Sequence, residues 1–591
     1  MKNYFIKLYT LLFLLFWISY SIKAATYTVT NLNDGGAGSL RQAIADANGN
    51  AANAPHTIDM TGITGVINLN SQIDISTGMT ILGSGRDNLR VRRSTETGII
   101  FDIIIAQAVS VNFKHLTMSH ATTSVHLDIS PTVVNSPSVL IDDCIVEENG
   151  GNTAAIYWNL YWNLGTLNAS SLVITNSILR NNRNTYQLGG ALYMRTRNNS
   201  NFSYRIENCI IERNEDRFFG GAFYIFCKKG VINNCVFKYN KVQGPSSGPA
   251  RGGAIRMTGD GIHTINNSTF TQNSTTNVGI GTIAISSGVD LTLNHCTIYD
   301  NTAGKGGAII NQTTVPVKIN HCIILGNTAT ADDSENLFGA FSSDNGHNVL
   351  GITTGGTLTG TTTGNVTNAI PTDVINTTLQ TIGGNPLEVF TLTPTSVAKD
   401  LCVDAILSTD QLGVARDNRP DAGAYESPNP EINLQGNSND IVSGTTSTSL
   451  TNDTDFGAIL ECGTNTISKT YTIQNTGTAD LTVNTITITG VDATDFTLSG
   501  LPTFPSTIAA GANQTFTVTF DPSATGNRTA TITIANNDSN ENPYTFAING
   551  NGTADNIDPL IPTLTNVTAQ CSVASIPAPT TTDNCSGTIT G

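Results

Sequence analysis

The residues best suited to chemistry are basic and aromatic side chains in the middle of the chain. Residues 180–256 hold 13 of the 29 Lys and Arg but only four of the 45 Asp and Glu. Aligned on a recurring Gly-Gly-Ala signal, Tyr157, Tyr193, Tyr224 and Arg256 form one column. Asn159, Arg195, Phe226 and Thr258 form the next, with Arg197 and Lys228 one step further. Tyr rings offer flat apolar surfaces to sugar faces, and Arg pairs with carboxylate or sulfate through two parallel hydrogen bonds. The combination suits an extended acidic polysaccharide. A purely structural ladder of stacked aromatics with solvated charges has the same pattern, and the sequence leaves both readings open. Tyr161 and Trp162, just after the first of these segments, either extend the platform or cover the core.

Other chemistry finds little support. No nucleotide-binding loop, metal-spaced His/Cys cluster or nucleophile elbow occurs, and no metal is expected. The 8 His are scattered. His295 and His321 fall at one turn position of successive repeats, which reads as stacking rather than metal ligation.

The elements that must position these residues come from an internal repeat of 26 to 33 residues. Its seven copies align on a small residue: Cys144, Ser177, Cys209, Cys235, Ser268, Cys296 and Cys322. Three residues earlier stands an aliphatic (Ile141 to Ile319), two residues later a large apolar residue (Val146 to Ile324), and five residues later always Asn (Asn149 to Asn327). Asn176, Asn208, Asn234 and Asn267 precede four anchors and suit a tight turn, because Asn tolerates left-handed backbone. Gly-Gly-Ala then precedes a further strand. Each copy reads as three short strands that cannot bury an apolar face alone, so the copies must stack into a parallel β-solenoid with coils about 4.8 Å apart.

Strand alternation assigns the faces. Ile156, Leu192, Phe223 and Ile255 point inward, as do Trp158, Met194, Ile225 and Met257, which leaves the Tyr/Arg columns outward. The anchors Cys144, Cys209, Cys235, Cys296 and Cys322 read as small buried hydrophobes. Bridges between Cys209 and Cys235, or Cys296 and Cys322, are the alternative.

Composition agrees with an all-β chain. Of 591 residues only 13% are charged, against roughly 25% in an average soluble protein. Thr, Asn, Ser and Gly replace them and make poor helices. A helical or α/β enzyme is therefore not expected, and the net charge of -16 argues against a nucleic-acid partner. Residues 1–25, with Lys2, Lys7, an apolar run and Ala24-Ala25, have the layout of a secretory signal peptide; a membrane anchor is the alternative. No later run reaches spanning length, so the expectation is an exported protein that is not integral to a membrane.

These residues carry a resemblance. Residues 26–335 resemble the right-handed parallel β-helix proteins related to pectate lyases and large bacterial surface adhesins. The 27–48 stretch resembles the Ser-Leu-Arg segment that opens many of them, and its 39–48 part is expected to be a capping helix. Residues 80–88 look like an early coil. Residues 336–427 are read as last coils and a closing cap, because 345–351 and 410–426 resemble a choice-of-anchor segment. Its Asp and Arg could mimic a catalytic cluster, but a polar capping loop is the preferred reading.

Residues 428–554 read as an immunoglobulin-like β-sandwich. Asn475-Thr-Gly-Thr-Ala-Asp-Leu481, with Phe520-Asp-Pro522, resembles the Hydin-like module. Residues 555–591 look like the start of a hyalin-repeat-like sandwich, which implies a disulfide between Cys571 and Cys585. That module stops at Gly591, so a fragment is expected, with an outer-surface anchor of the type IX secretion kind further along.

Lyases of the resembled family use calcium-binding carboxylates plus a basic residue, and its hydrolases use clustered Asp. Neither set stands at repeat-consistent positions. The expectation is therefore a non-catalytic, adhesin-like surface or secreted protein that binds polysaccharide through Tyr157, Tyr193, Arg195, Arg197, Tyr224, Phe226, Lys228 and Arg256. A polysaccharide lyase or glycosidase, and a purely structural stalk, are the alternatives. No cofactor is expected; calcium enters only for a lyase.

Overall fold

In the computed structural model, the structure describes residues 24–104, 109–128, 137–160, 170–186, 189–196, 202–244, 250–276, 278–462, 465–568, 575–583, 585 and 587–590. Contacts divide the chain into two compact units, Met1–Ser427 and Pro428–Gly591. Each is described by itself.

The first unit is a parallel β-solenoid. One coil shows the pattern: a first-face strand Ser170–Thr175, a second-face strand Ile178–Arg180, a two-residue strand Arg183–Asn184, and a fourth-face strand Leu192–Arg195. Each of the seven repeat copies thus has four strands rather than the expected three, because the short strand after the invariant Asn makes its own seven-stranded sheet. The second face has 11 strands. The first and fourth faces join through Leu337–Ser343, which pairs with both.

The repeat has a local cause at each position. The residue before every anchor is left-handed: Asp143, Asn176, Asn208, Asn234, Asn267, His295 and His321 have φ between 44° and 55°. That region disfavours most side chains but tolerates Asn, Asp and His best. The anchors then turn inward, and all five Cys anchors are buried free thiols. The bridging alternative is not what the structure shows. Burial pushes the Cys144 thiol up to about 12, so it stays protonated.

The invariant Asn forms a buried ladder. Asn149 Nδ2 donates to Asn182 Oδ1 at 2.9 Å, Asn182 to Asn214 at 2.9 Å, and Asn214 to Asn240 at 3.0 Å. Asn182, Asn214 and Asn240 also donate to a carbonyl of the coil before, as Asn182 does to Val146 O, whereas Asn149 donates to Glu147 O of its own coil. A shorter or β-branched residue could not satisfy three buried backbone or amide groups at once. In the Gly-Gly-Ala signal, a Cβ on Gly221 would lie 2.1 Å from Gly253 O, so no larger residue fits between coils.

The helix Leu40–Gly49 packs on strands Thr26–Thr28, His56–Asp59 and Ile73–Ile75. Ser39 Oγ accepts from Gln42 N as its N-cap, and Leu40, Ala43, Ile44 and Ala47 are buried. An amphipathic helix there covers strand edges that would otherwise be open.

The segment expected as a cap does something different. After the last strands Val349–Leu350 and Gly356–Gly360, residues 371–427 fold back along the second face. Val374, Ile375, Phe390, Leu392, Ala398 and Cys402 cover Ile323, Leu325 and Val349, the outward apolar residues of that face. Covering an apolar column outweighs sealing the end of the stack.

The second unit is a sandwich of two five-stranded sheets. One carries Ile432–Gly436, Ile467–Asn475 and Asn513–Phe520; the other Leu481–Thr489, Gly526–Asn536 and Tyr544–Thr553. Tyr471, Phe516, Phe520, Ile532 and Phe546 fill the core between them. Cys585 pairs with Cys462, with Cα atoms 4.9 Å apart, and not with Cys571 as expected. The physical reason is proximity: the hairpin Thr580–Asp583 and Gly587–Thr590 puts Cys585 beside the end of strand Asp455–Leu460. Cys571 lies outside the described residues.

Candidate functional site

The outward column of the fourth face runs in register through seven coils: Asp74, Asp102, His126, Tyr157, Tyr193, Tyr224 and Arg256. Strand alternation places these side chains outside and Ile156, Leu192, Phe223 and Ile255 in the core. Coil spacing then stacks the rings. His126 and Tyr157 lie 5.1 Å apart, Tyr157 and Tyr193 5.1 Å, and Tyr193 and Tyr224 5.4 Å, with interplanar angles of 11° to 26°.

Stacking has a consequence for access. Tyr193 has a ring on each side and is only 3% exposed, so it is not a contact surface as expected. Tyr157 and Tyr224, towards the ends of the stack, are half-buried. Burial raises the phenols of all three, most for Tyr193, so they remain protonated. Arg195 is half-buried beside Phe226, with its guanidinium 6.0 Å from the ring centre. Lys228 pairs with Asp260 at 2.5 Å at the exposed edge of the face. Arg197 falls outside the described residues, as do Tyr161 and Trp162.

Arg256 is the unusual member. Although it faces outward, it is 5% exposed, wedged between Tyr224 and Ala284 in the adjacent coils, so only a small part of it is open to a ligand, rather than the open contact expected. Nη2 donates to Ser286 Oγ, and Nη1 has no hydrogen-bond partner. Burial, and then the neighbouring Arg251, lower its pKa to about 10. No carboxylate among the described residues pairs with it. The flanking segments 197–201 and 245–249 contain no Asp or Glu.

Sequence reasoning missed the other end of the column. Asp102 Oδ1 lies 2.8 Å from His126 Nδ1, and Gln72 Nε2 donates to Asp102 Oδ2. A carboxylate on Nδ1 is the kind of contact that orients an imidazole for general-base work. Asn159 Nδ2 bridges Asp128 and the Tyr157 hydroxyl. Burial raises the Asp128 carboxyl. Both carboxylates lie before the first repeat copy, and the only sequence signal was alternation, with Val125 and Leu127 flanking His126.

Polar clusters elsewhere are accounted for by structure. His321 Nδ1 and His295 Nε2 are 3.1 Å apart and buried at successive turns, with the rings edge to face at 83° rather than stacked. Above them Arg416 pairs with Glu426 at 2.7 Å, both essentially inaccessible, and Arg416 also donates to Asn267 Oδ1 and Gly423 O. This is the Asp/Arg segment, and it clasps the coils. Among the described residues, two groups could geometrically approach a metal. In one, Cys462 and Cys585 are already bonded to each other. In the other, Glu431, Asp538 and Glu541, Asp538 is occupied by Ile432 N at 2.9 Å.

Comparison with known proteins adds one assignment. Residues 449–551 match the HYDIN/CFA65/VesB-like, Ig-like domain family. No curated protein matches the chain. Among solved structures, the ASH/PapD-like domain 7 of human CEP192 is similar at 15% identity over 22% of this chain and 91% of that one, with a TM-score of 0.14. A protein of unknown function from Porphyromonas gingivalis W83 is similar at 14% identity over 31% and 81%, also with a TM-score of 0.14. Neither likeness carries an argument about function. The chain is a parallel β-solenoid followed by an Ig-like domain, residues 449–551 of which match that family.

Proposed function

We propose that the protein is an exported, adhesin-like surface protein whose solenoid binds an extended acidic polysaccharide along the fourth face. Arg256 carries this reading. A desolvated guanidinium costs several kcal/mol unless a counter-charge meets it, and this one has none of its own. A carboxylate or sulfate reaching Arg256 past the half-buried Tyr224 would supply that charge. Arg195 would hold a second anionic group two coils earlier, and Tyr157 with Phe226 would contact sugar faces. The Ig-like domain fits a spacer, and the apolar leader at residues 1–25 fits export. The pectate-lyase-like kinship is part of the proposal.

Binding of the full chain to a panel of uronic-acid and sulfated oligosaccharides tests it. The expected result is binding that weakens at least tenfold in Arg195→Ala. Equal binding by the variant contradicts the assignment.

The Asp102–His126 pair favours a second reading, a polysaccharide lyase. His126 would take the proton next to the uronate carboxylate, Arg195 would stabilise that carboxylate, and Tyr157 would protonate the leaving oxygen. Ultraviolet absorbance of the unsaturated product, present in the parent and lost in His126→Gln, would establish this reading over the non-catalytic one. No product from polymers that bind would exclude it.

A further inference from the structure

The second face holds a trough that the fold-back segment leaves open. Its outward column runs Thr117, Ile145, Ile178, Ile210, Val236, Thr269 and Thr297. The segment 371–427 reaches the later part of this column, with Gln411 on Thr269 and Ala424 on Thr297. The column is partly open at two coils before that: Ile178 and Ile210 stay half-buried and floor a groove of about 430 Å³, while Thr117, Ile145 and Val236 are buried. Leu387 and Leu412 stand at one end of that groove, and Arg86 stands at the other. A second cavity of about 270 Å³, lined by Arg86, Arg90 and Arg180, continues it towards the first coils.

One wall is a row of turn amides, one per coil. Asn234 Nδ2 donates to Asn208 Oδ1 at 3.1 Å, Asn208 Nδ2 to Asn176 Oδ1 at 3.4 Å, and Asn176 Nδ2 to Asp142 Oδ1 at 2.9 Å. An amide has two N–H donors and two lone pairs on oxygen, and the row uses one donor of each and a single lone pair on Asn208 and Asn176. The three coils of Asn176, Asn208 and Asn234, at about 4.8 Å intervals, therefore each present a spare donor and a spare acceptor side by side. Asn176 and Asn208 are exposed, so these groups are accessible.

The charges around the trough are already matched. Arg86 pairs with Asp143 at 3.3 Å, Arg180 with Glu147 at 2.6 Å, and Lys238 with Glu212 at 3.4 Å. Arg90 also pairs with Glu147, at 2.5 Å. This is the opposite of the fourth face, where Arg256 lacks a partner. A ligand here need bring no charge. It must offer an apolar underside, and hydroxyls that both donate and accept at a spacing near one coil.

We infer that the trough over Ile178 and Ile210 is a second binding site, for an extended neutral polysaccharide read by the Asn176, Asn208 and Asn234 amides. It stands apart from the acidic-glycan reading of the fourth face. An extended peptide is less suited, because the wall offers side-chain amides rather than an open backbone edge.

Titration calorimetry of the full chain with neutral hexasaccharides of glucose, mannose and xylose, and separately with a uronic-acid hexasaccharide, tests this. The expected result is binding of at least one neutral sugar, at least tenfold weaker in Ile178→Glu and in Asn208→Gly but unchanged in Arg195→Ala. Both substitutions face outward, and Gly tolerates the left-handed turn, so melting temperatures should stay close to the parent. Absence of neutral-sugar binding, or unchanged binding in Ile178→Glu, overturns the inference. So does displacement of the neutral sugar by the uronic-acid hexasaccharide, or saturable binding of an extended peptide that Ile178→Glu abolishes.

Discussion

Arg256 separates a structural from a functional role at the scale of a single residue. A buried cation without a partner is a burden on folding, and replacing it by an apolar side chain of similar length is often neutral or stabilising. Arg256→Met should therefore melt at or above the parent's temperature, by up to about 1 kcal/mol of added stability. Its affinity for uronic-acid oligosaccharides should fall at least tenfold. A destabilised variant with unchanged affinity would make Arg256 structural. The outward direction of Arg256 was legible from period-two alternation. Its burial was not, because that depends on Tyr224 and Ala284, 32 residues before and 28 after it. Asp102 and His126 were illegible for a related reason: each is ordinary in its own strand, and only coil stacking brings them to 2.8 Å.

At the scale of elements, the Asn ladder and the fold-back segment make separate predictions. Asn240→Ala leaves Asn214 N without its acceptor and removes the donor to Ile211 O, while Asn214 Nδ2 keeps Leu179 O and Asn273 Oδ1 keeps the backbone N–H of residue 240. Each buried group left unsatisfied costs about 1–3 kcal/mol, so chemical denaturation should show a loss of at least that size. An equally stable variant would refute the ladder's role. The ladder's spacing was legible because every copy obeys it. The fold-back of residues 371–427 was not, since its contacts, such as Arg416 to Asn267 and Lys238 to Glu388, join distant positions with no repeat between them.

That segment should also respond to pH. Burial, and then Asp421, raise the Glu426 carboxyl from 4.5 to about 8, with Arg416 offsetting part of the rise. Burial raises Asp421 from 3.8 to about 6. For both groups the folded form binds the proton more tightly than the unfolded chain. Their contribution is therefore full below the unfolded values and drains as pH rises towards about 8. His321 works in the opposite direction. Burial lowers it from 6.5 to about 4, so its contribution is full above 6.5 and drains as pH falls towards about 4. Melting temperature should fall between pH 6 and 8, and Glu426→Gln should flatten that decline. A parent curve that rises over this interval would contradict the assignment.

For the whole molecule, the solenoid is a one-dimensional stack in which each coil depends on its neighbours. Its outer faces therefore repeat with the coil, and columns of like side chains become surfaces that can follow an extended polymer. Low overall charge lets one buried cation, Arg256, which meets no carboxylate among the described residues, stand out on one face. Binding to acidic chains should accordingly weaken as salt rises past physiological strength, where the screening length is about 8 Å. All-β architecture and the sandwich were legible because alternation and the Asn475–Leu481 motif are local. The disulfide partner of Cys585 was not, because Cys462 lies 123 residues away.

The most direct test of the fourth-face site is calorimetric titration of the full chain with a uronic-acid decasaccharide at low salt, comparing the parent with a double variant, Arg195→Ala with Arg256→Met. Saturable binding by the parent, lost in a double variant that melts like the parent, is the predicted result. Binding of equal strength by both proteins, or no binding by the parent to any uronic-acid or sulfated chain, would contradict it.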